Sequence, residues 1–129
     1  VVQPLPLGVA ASAATVGEAR WQPWGQAKVD AALASGRSVF VDFTAAWCVT
    51  CQFNERTALA APEVWQQARA TNTLMLRADW TRRDDAITRA LEALGRTGVP
   101  TYALYRPNQP PVLLPELLTT SVVLQALPQ

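Results

Sequence analysis

The 129-residue chain is long enough to bury a core and too short for two comfortable domains. Half of its residues are apolar and 16% are charged, which excludes general disorder, and a net charge of +1 gives no field favouring nucleic acid or an anionic membrane surface. Histidine is absent, removing Ser/His and Cys/His catalysis, histidine proton shuttles and histidine metal ligands. The two cysteines, Cys48 and Cys51, cannot alone complete a four-ligand zinc site, so the chemistry must come from carboxylates, hydroxyls or that cysteine pair.

The only methionine is Met75, so the chain reads as a processed protein or a piece of a longer one. Val1 through Gly17 is apolar, small and proline-containing; without a basic n-region, since the first positive charge is Arg20, it reads as a linker or an ordinary disordered terminus. No stretch of about 18 apolar residues is present to span a bilayer. Trp21-Gln22-Pro23-Trp24 suits a short edge segment, because Pro23 argues against a central strand. Gln26 to Ser35 carries Ala27, Ala31 and Ala34 at helical spacing and ends at Gly36, a C-cap residue. Ser38 to Thr44 is a near-continuous run of β-branched and aromatic residues, the pattern of a strand buried on both faces.

Ala45 to Ala61 reads as helix, and Pro62 opens a further helix bearing Val64, Trp65 and Ala68. Thr73 to Asp79 reads as a strand, and Asp84 to Leu94 as a helix with Ile87, Leu91 and Leu94 on one face. Gly95 and Gly98 bracket a turn before Val99-Pro100. Thr101 to Tyr105 is strand-like, Pro107-Asn108-Gln109-Pro110 is a turn, and Val112-Leu113-Leu114 is a short strand. Thr119 or Thr120 caps a last helix running through Leu127, with Val122, Val123 and Ala126 available for packing. This alternation predicts a three-layer α/β sandwich around a mixed sheet flanked by helices.

Cys48-Val49-Thr50-Cys51 follows the buried-type strand directly and opens a helix. Unpaired backbone N–H groups and the positive end of the helix dipole there stabilise a thiolate at the first cysteine, and the spacing brings the sulfurs close enough for a disulfide. On this reading Cys48 is the exposed nucleophile and Cys51, one turn in, resolves the mixed disulfide. Buried structural cysteines and a two-thiolate Cu(I) site remain as alternatives; a haem attachment site needs a histidine where Gln52 stands. Asp42 is the lone charge of its strand, so burial should raise its pKa and let it exchange a proton with a cysteine, unless it reaches solvent at the strand end. Glu55 lies one turn beyond Cys51, where it either modulates thiol ionisation or is an exposed helical acid. Trp47 should be partly exposed beside Cys48 and useful for docking a partner, whereas core packing is expected for Trp21, Trp24, Trp65 and Trp80. A cis Val99–Pro100 bond would open the Val99 backbone to an extended partner segment, and the sequence does not separate cis from trans. Arg82, Arg83, Asp84 and Asp85 read as a solvated loop and helix start.

The stretch Phe40 through Cys51, with Gly98-Val99-Pro100-Thr101, resembles a thioredoxin-fold active site with its cis-proline loop. Val49-Thr50 between the cysteines, Ala78 through Asp84 and Gly95 through Pro100 are similar to the C-terminal domain of the DsbD family of bacterial thiol:disulfide interchange proteins, over about residues 21–127. The resemblance implies a thioredoxin-like domain at 21–129 behind a linker or extension at 1–20. It implies a protein-disulfide reductase that relays electrons from a membrane-embedded domain to the family's N-terminal periplasmic domain, and so to isomerases and cytochrome c maturation proteins. The domain itself would be a soluble, monomeric, periplasmic part of an inner-membrane protein, with no cofactor beyond the Cys48–Cys51 pair and no metal. By position, Cys48 is the nucleophile, Cys51 its resolving partner, and Asp42 and Glu55 the acids that raise the nucleophile's pKa; Trp47, Val49, Thr50, Val99 and Pro100 fall where partners dock. Gln52 departs from the basic residue expected at its position, removing one positive charge near the thiols. An oxidase or isomerase of the same fold would differ in redox poise rather than in motif.

Overall fold

The β-branched and aromatic run Val39–Thr44 forms the central strand of a five-stranded sheet, and all six of its residues are buried. The computed structural model describes residues 20–129, so the expected linker, apart from Arg20, lies outside the described residues. In chain order the elements are β1 (Gln22–Pro23), α1 (Gln26–Ala34), β2 (Val39–Thr44), α2 (Val49–Arg56), a 3-10 turn (Ala58–Ala60), α3 (Pro62–Ala70), β3 (Leu74–Asp79), α4 (Asp85–Ala93), β4 (Thr101–Arg106), β5 (Gln109–Leu113) and α5 (Thr120–Ala126). The strands lie in the order β1-β3-β2-β4-β5. β3 runs parallel to both β1 and β2, whereas β4 is antiparallel to β2 and β5, giving the mixed sheet expected.

Alternation along β2 divides the core. Val39, Val41 and Phe43 pack with Val29 and Ala32 of α1 and with Ile87, Ala90 and Leu91 of α4. Phe40 packs on the other face with Ala58, Leu59, Val64, Trp65, Val123 and Leu127. Each fully buried large side chain contributes roughly 1.5–3 kcal/mol by leaving water, so the two clusters dominate the stability of the sandwich. Thr119 caps α5 by accepting the Val122 N–H, and Asp84 caps α4 by accepting those of Ala86 and Ile87.

Several boundaries differ from the sequence reading. The helix expected from Ala45 begins at Val49, because Ala46 N–H donates to Thr81 Oγ1 and the Trp47 indole N–H to Thr81 O, which holds residues 45–47 as a loop. It stops at Arg56 and gives way to the 3-10 turn. Strand β5 starts at Gln109 rather than Val112 despite Pro110 and Pro111, which its position at the sheet edge tolerates. In α1 the expected alanine face is solvent-exposed; Val29 and Ala32 are buried instead, since the larger Val29 gains more by burial than Ala27 or Ala31. Gly36, at φ 89°, closes α1 as expected.

Candidate active site

The turn out of β2 delivers Cys48 as the N-cap of α2. Its backbone is extended, and its Sγ accepts the Cys51 N–H at 3.1 Å, using one of the donors that a helix start leaves free. Cys48 and Cys51 are joined in a disulfide, with Cα atoms 5.2 Å apart. They pack with Ala45, and Val99 closes the cluster from the loop before β4. The Val99–Pro100 bond is cis, and Pro100 is buried. Cys48, expected to be exposed, is only 7% exposed in the disulfide, because Ala45 and Val99 cover it; Cys51 is fully buried. On reduction, the Cys51 amide and the remaining N-terminal amides of α2 would stabilise a thiolate at Cys48 rather than at Cys51.

A buried polar layer lies between α2 and the sheet. Asp42, 1% exposed, stands opposite Arg77 of β3 and Tyr102 of β4 in register, so the reading in which it reaches solvent is overturned. Arg77 Nε donates to Asp42 Oδ2 at 3.3 Å, and Asp42 Oδ1 is buried with no hydrogen-bond partner among the described residues. Burial pushes the Asp42 carboxyl from 3.8 up to about 7; Arg77 opposes the rise and Glu55 adds to it. Glu55 reaches down from α2, accepts from Thr44 Oγ1 at 3.0 Å and comes within 3.7 Å of an Arg77 terminal nitrogen. It is therefore tied to the strand, not a free surface acid.

Asn54 completes the layer. Its amide N–H groups donate to Tyr102 Oη and to Glu116 O, both at 2.8 Å, and its carbonyl accepts from Leu118 N–H at 3.2 Å. Burial, with the nearby Asp42 charge, raises the Tyr102 hydroxyl far above its usual range. Arg77, Asn54 and Tyr102 were missed from sequence: each occupies an ordinary strand or helix position, and only register and packing bring Arg77 and Tyr102 beside Asp42 and Asn54 onto Tyr102.

Around the disulfide the surface is apolar. Trp47 is 48% exposed and Val49 82%, and Phe53, one turn along α2, is also exposed. Leu117 is exposed in the loop that Asn54 ties to α2. Thr50 is half-buried. Phe53 and Leu117 escaped the sequence reading because an apolar residue gives no local sign of facing water. Arg83, given no role there, lies 5.0 Å over the Trp47 ring and 4.9 Å over that of Trp80, which orients Trp47 beside Cys48. Trp65 and Trp80 are buried as expected, but Trp21 and Trp24 are only partly so, since they flank the edge strand β1. Among the described residues no group of three or more Cys, His, Asp or Glu side chains gathers to hold a metal, and no helix is long and apolar enough to cross a membrane.

Residues 20–107 match the model of a family described as thioredoxin-like, and the chain belongs to that family. The DsbD resemblance read from the motifs is matched by known proteins. The chain is 32% identical over 87 residues to the thiol:disulfide interchange protein DsbD of Vibrio cholerae, covering 67% of this chain and 14% of that protein. It is 35% identical over 86 residues to DsbD 1 of Pseudomonas aeruginosa, covering 64% and 14%. The chain thus spans only a small part of the length of these relatives. The DsbD C-terminal domain of Neisseria meningitidis in the oxidised form superposes with a TM-score of 0.66 at 21% identity, covering 81% of this chain and 94% of that one. In the reduced form the values are 0.64, 21%, 79% and 96%. These likenesses bear out the three-layer fold, and the cysteine pair within it supports thiol–disulfide exchange.

Proposed function

We propose that this domain is a protein-disulfide reductase that relays electrons in the manner of DsbD. It takes them from a membrane-embedded domain and passes them to a periplasmic protein disulfide, that of the N-terminal domain of the same DsbD-like protein. It works as a monomeric periplasmic domain of an inner-membrane protein, and the Cys48–Cys51 pair is its whole redox group. The observation that carries the reading is Cys48 capping α2 in a disulfide with the fully buried Cys51, inside an apolar exposed rim.

The step balances as a two-electron exchange. The Cys48 thiolate attacks one sulfur of the partner disulfide; a Cys48–partner S–S bond forms as the partner S–S bond breaks and a partner thiolate leaves. Cys51 then loses its proton and attacks Cys48 Sγ, which closes the domain disulfide and expels the second partner thiolate. Two electrons pass to the partner and its two thiolates take up protons. In this reading Asp42, titrating near neutrality, accepts the Cys51 proton. Glu55 adds a second negative charge to the layer, opposing early ionisation of Cys48. Trp47, Val49, Thr50 and Val99 meet the partner, joined by Phe53 and Leu117, with the buried Pro100 behind Val99.

Trapping tests the assignment. A Cys51→Ala domain, reduced and mixed with a disulfide-bonded protein, should accumulate a mixed disulfide through Cys48, visible by mass spectrometry. An adduct that instead forms with Cys48→Ala and not with Cys51→Ala would reverse the roles, and none with either would reject exchange by this pair.

A further inference from the structure

Three arginines from separate segments meet at the end of the sheet away from the disulfide. Arg20 precedes β1, Arg37 precedes β2 and Arg69 lies in the last turn of α3, and all three line one open cleft of about 290 Å³ beside Leu74 at the start of β3. Because β2 and β3 run parallel and Cys48 follows the end of β2, the cleft lies about one strand length, roughly 20 Å, from the cysteine pair. Two of the guanidinium groups are held in place. Arg20 Cζ sits 5.2 Å over the ring of Trp65, itself fixed by an indole N–H that donates to Leu59 O at 2.8 Å. Arg37 Nε donates at 3.0 Å to the carbonyl of Asn72, which turns the chain from α3 into β3 at φ 55°. Among the described residues no carboxylate lines the cleft, and none of the three arginines joins an ion pair. Three like charges around one cleft repel one another, whereas an anion between them turns that repulsion into attraction.

We propose that this cleft is an anion site for a phosphate group, free or carried on a lipid headgroup. Phosphate suits it better than carboxylate does. Tetrahedral oxygens accept from guanidinium forks arriving from three directions, and a carboxylate offers only one plane. The volume, about ten times a water molecule's share of the liquid, leaves room for the group to which the phosphate is attached. Two arginines already fixed by Trp65 and Asn72 lose little freedom when the anion enters, which favours binding. The cleft is remote from the sulfurs, so the proposal does not rest on the reductase reading.

The test titrates inorganic phosphate into the 129-residue chain at constant ionic strength made up with chloride, while NMR follows the amides of Arg37, Arg69, Asn72 and Leu74. Saturable shifts confined to the cleft are expected. Arg69→Gln and Arg37→Gln should each weaken binding by about fivefold or more. Arg89→Gln, on α4 and outside the cleft, removes the same charge and should change the affinity by less than about twofold. Arg69 is exposed at a helix end, so its variant decides the matter if Arg37→Gln does not fold. Co-sedimentation with phosphatidylglycerol and with phosphatidylcholine vesicles separates the two sources. Retention by the anionic vesicles alone, lost in Arg69→Gln and kept in Arg89→Gln, assigns the lipid headgroup; phosphate shifts without retention assign the free ion. Equal weakening by Arg89→Gln, shifts scattered outside the cleft, retention indifferent to Arg69, or no response to either probe overturns the proposal.

Discussion

Replacing Asp42 with asparagine should change how the stability of the oxidised domain depends on pH. Burial raises this carboxyl from 3.8 to about 7, a difference of about three units, and at about 1.36 kcal/mol per unit that amounts to ~4 kcal/mol. The sign follows from which state ionises first. Below about pH 4 the group is protonated in both folded and unfolded chains and costs nothing. Between pH 4 and 7 the unfolded chain ionises while the folded one resists, so stability falls as pH rises, and above pH 7 the full penalty stands. Asp42→Asn removes that penalty and leaves a neutral acceptor for Arg77, as the protonated acid already is below pH 4. The variant should therefore be no more stable than wild type at pH 4 and a few kcal/mol more stable at pH 8. Urea unfolding of both proteins at pH 4, 6 and 8 with the disulfide intact measures the difference, and subtraction cancels the other titrating groups. Parallel curves for the two proteins across this range would refute the reasoning, because they would mean that Asp42 titrates alike in both states.

The Asn54 and Trp47 side chains should separate stability from recognition. Asn54→Ala breaks bonds to Tyr102, Glu116 and Leu118, so a loss of about 2–4 kcal/mol is expected in urea unfolding, together with faster amide exchange at Leu118; an unchanged midpoint would mean that the 115–118 loop is held by other contacts. Trp47→Ala should slow exchange with a protein disulfide by about tenfold while leaving exchange with a small-molecule disulfide within about twofold, since half of its ring faces solvent beside Cys48. Equal slowing with both substrates would show that Trp47 acts on the cysteines rather than on docking.

Much of this site was legible where a local pattern and the tertiary demand coincided. The run ending at Thr44 has the pattern of a doubly buried strand, and Asp42, its lone charge, is buried with it rather than reaching solvent at the strand end. The cysteine spacing on a helix start likewise put both sulfurs in one turn. The failures share a physical cause, dependence on partners far along the chain. Nothing near Ala45 says that Thr81, 35 residues beyond Ala46, will capture that N–H and delay the helix. Arg77 looks like a strand charge bound for solvent until the β2–β3 register sets it against Asp42. Pro110 and Pro111 argue for a turn until their strand proves to lie at the sheet edge. Val29, rather than the alanines, decides which face of α1 meets the sheet, because one larger side chain gains more by burial than several methyls.

The direction of electron flow is the central claim, and the reduction potential of the Cys48–Cys51 pair tests it most directly. Equilibrating the domain against a thiol/disulfide buffer of known poise and counting free thiols gives that value. A potential close to that of thioredoxin, about −270 mV or lower, is expected for a domain that donates electrons to a partner disulfide. A value near about −120 mV, that of a strong disulfide-forming oxidase, would contradict it, because electrons would then flow from the partner into this pair.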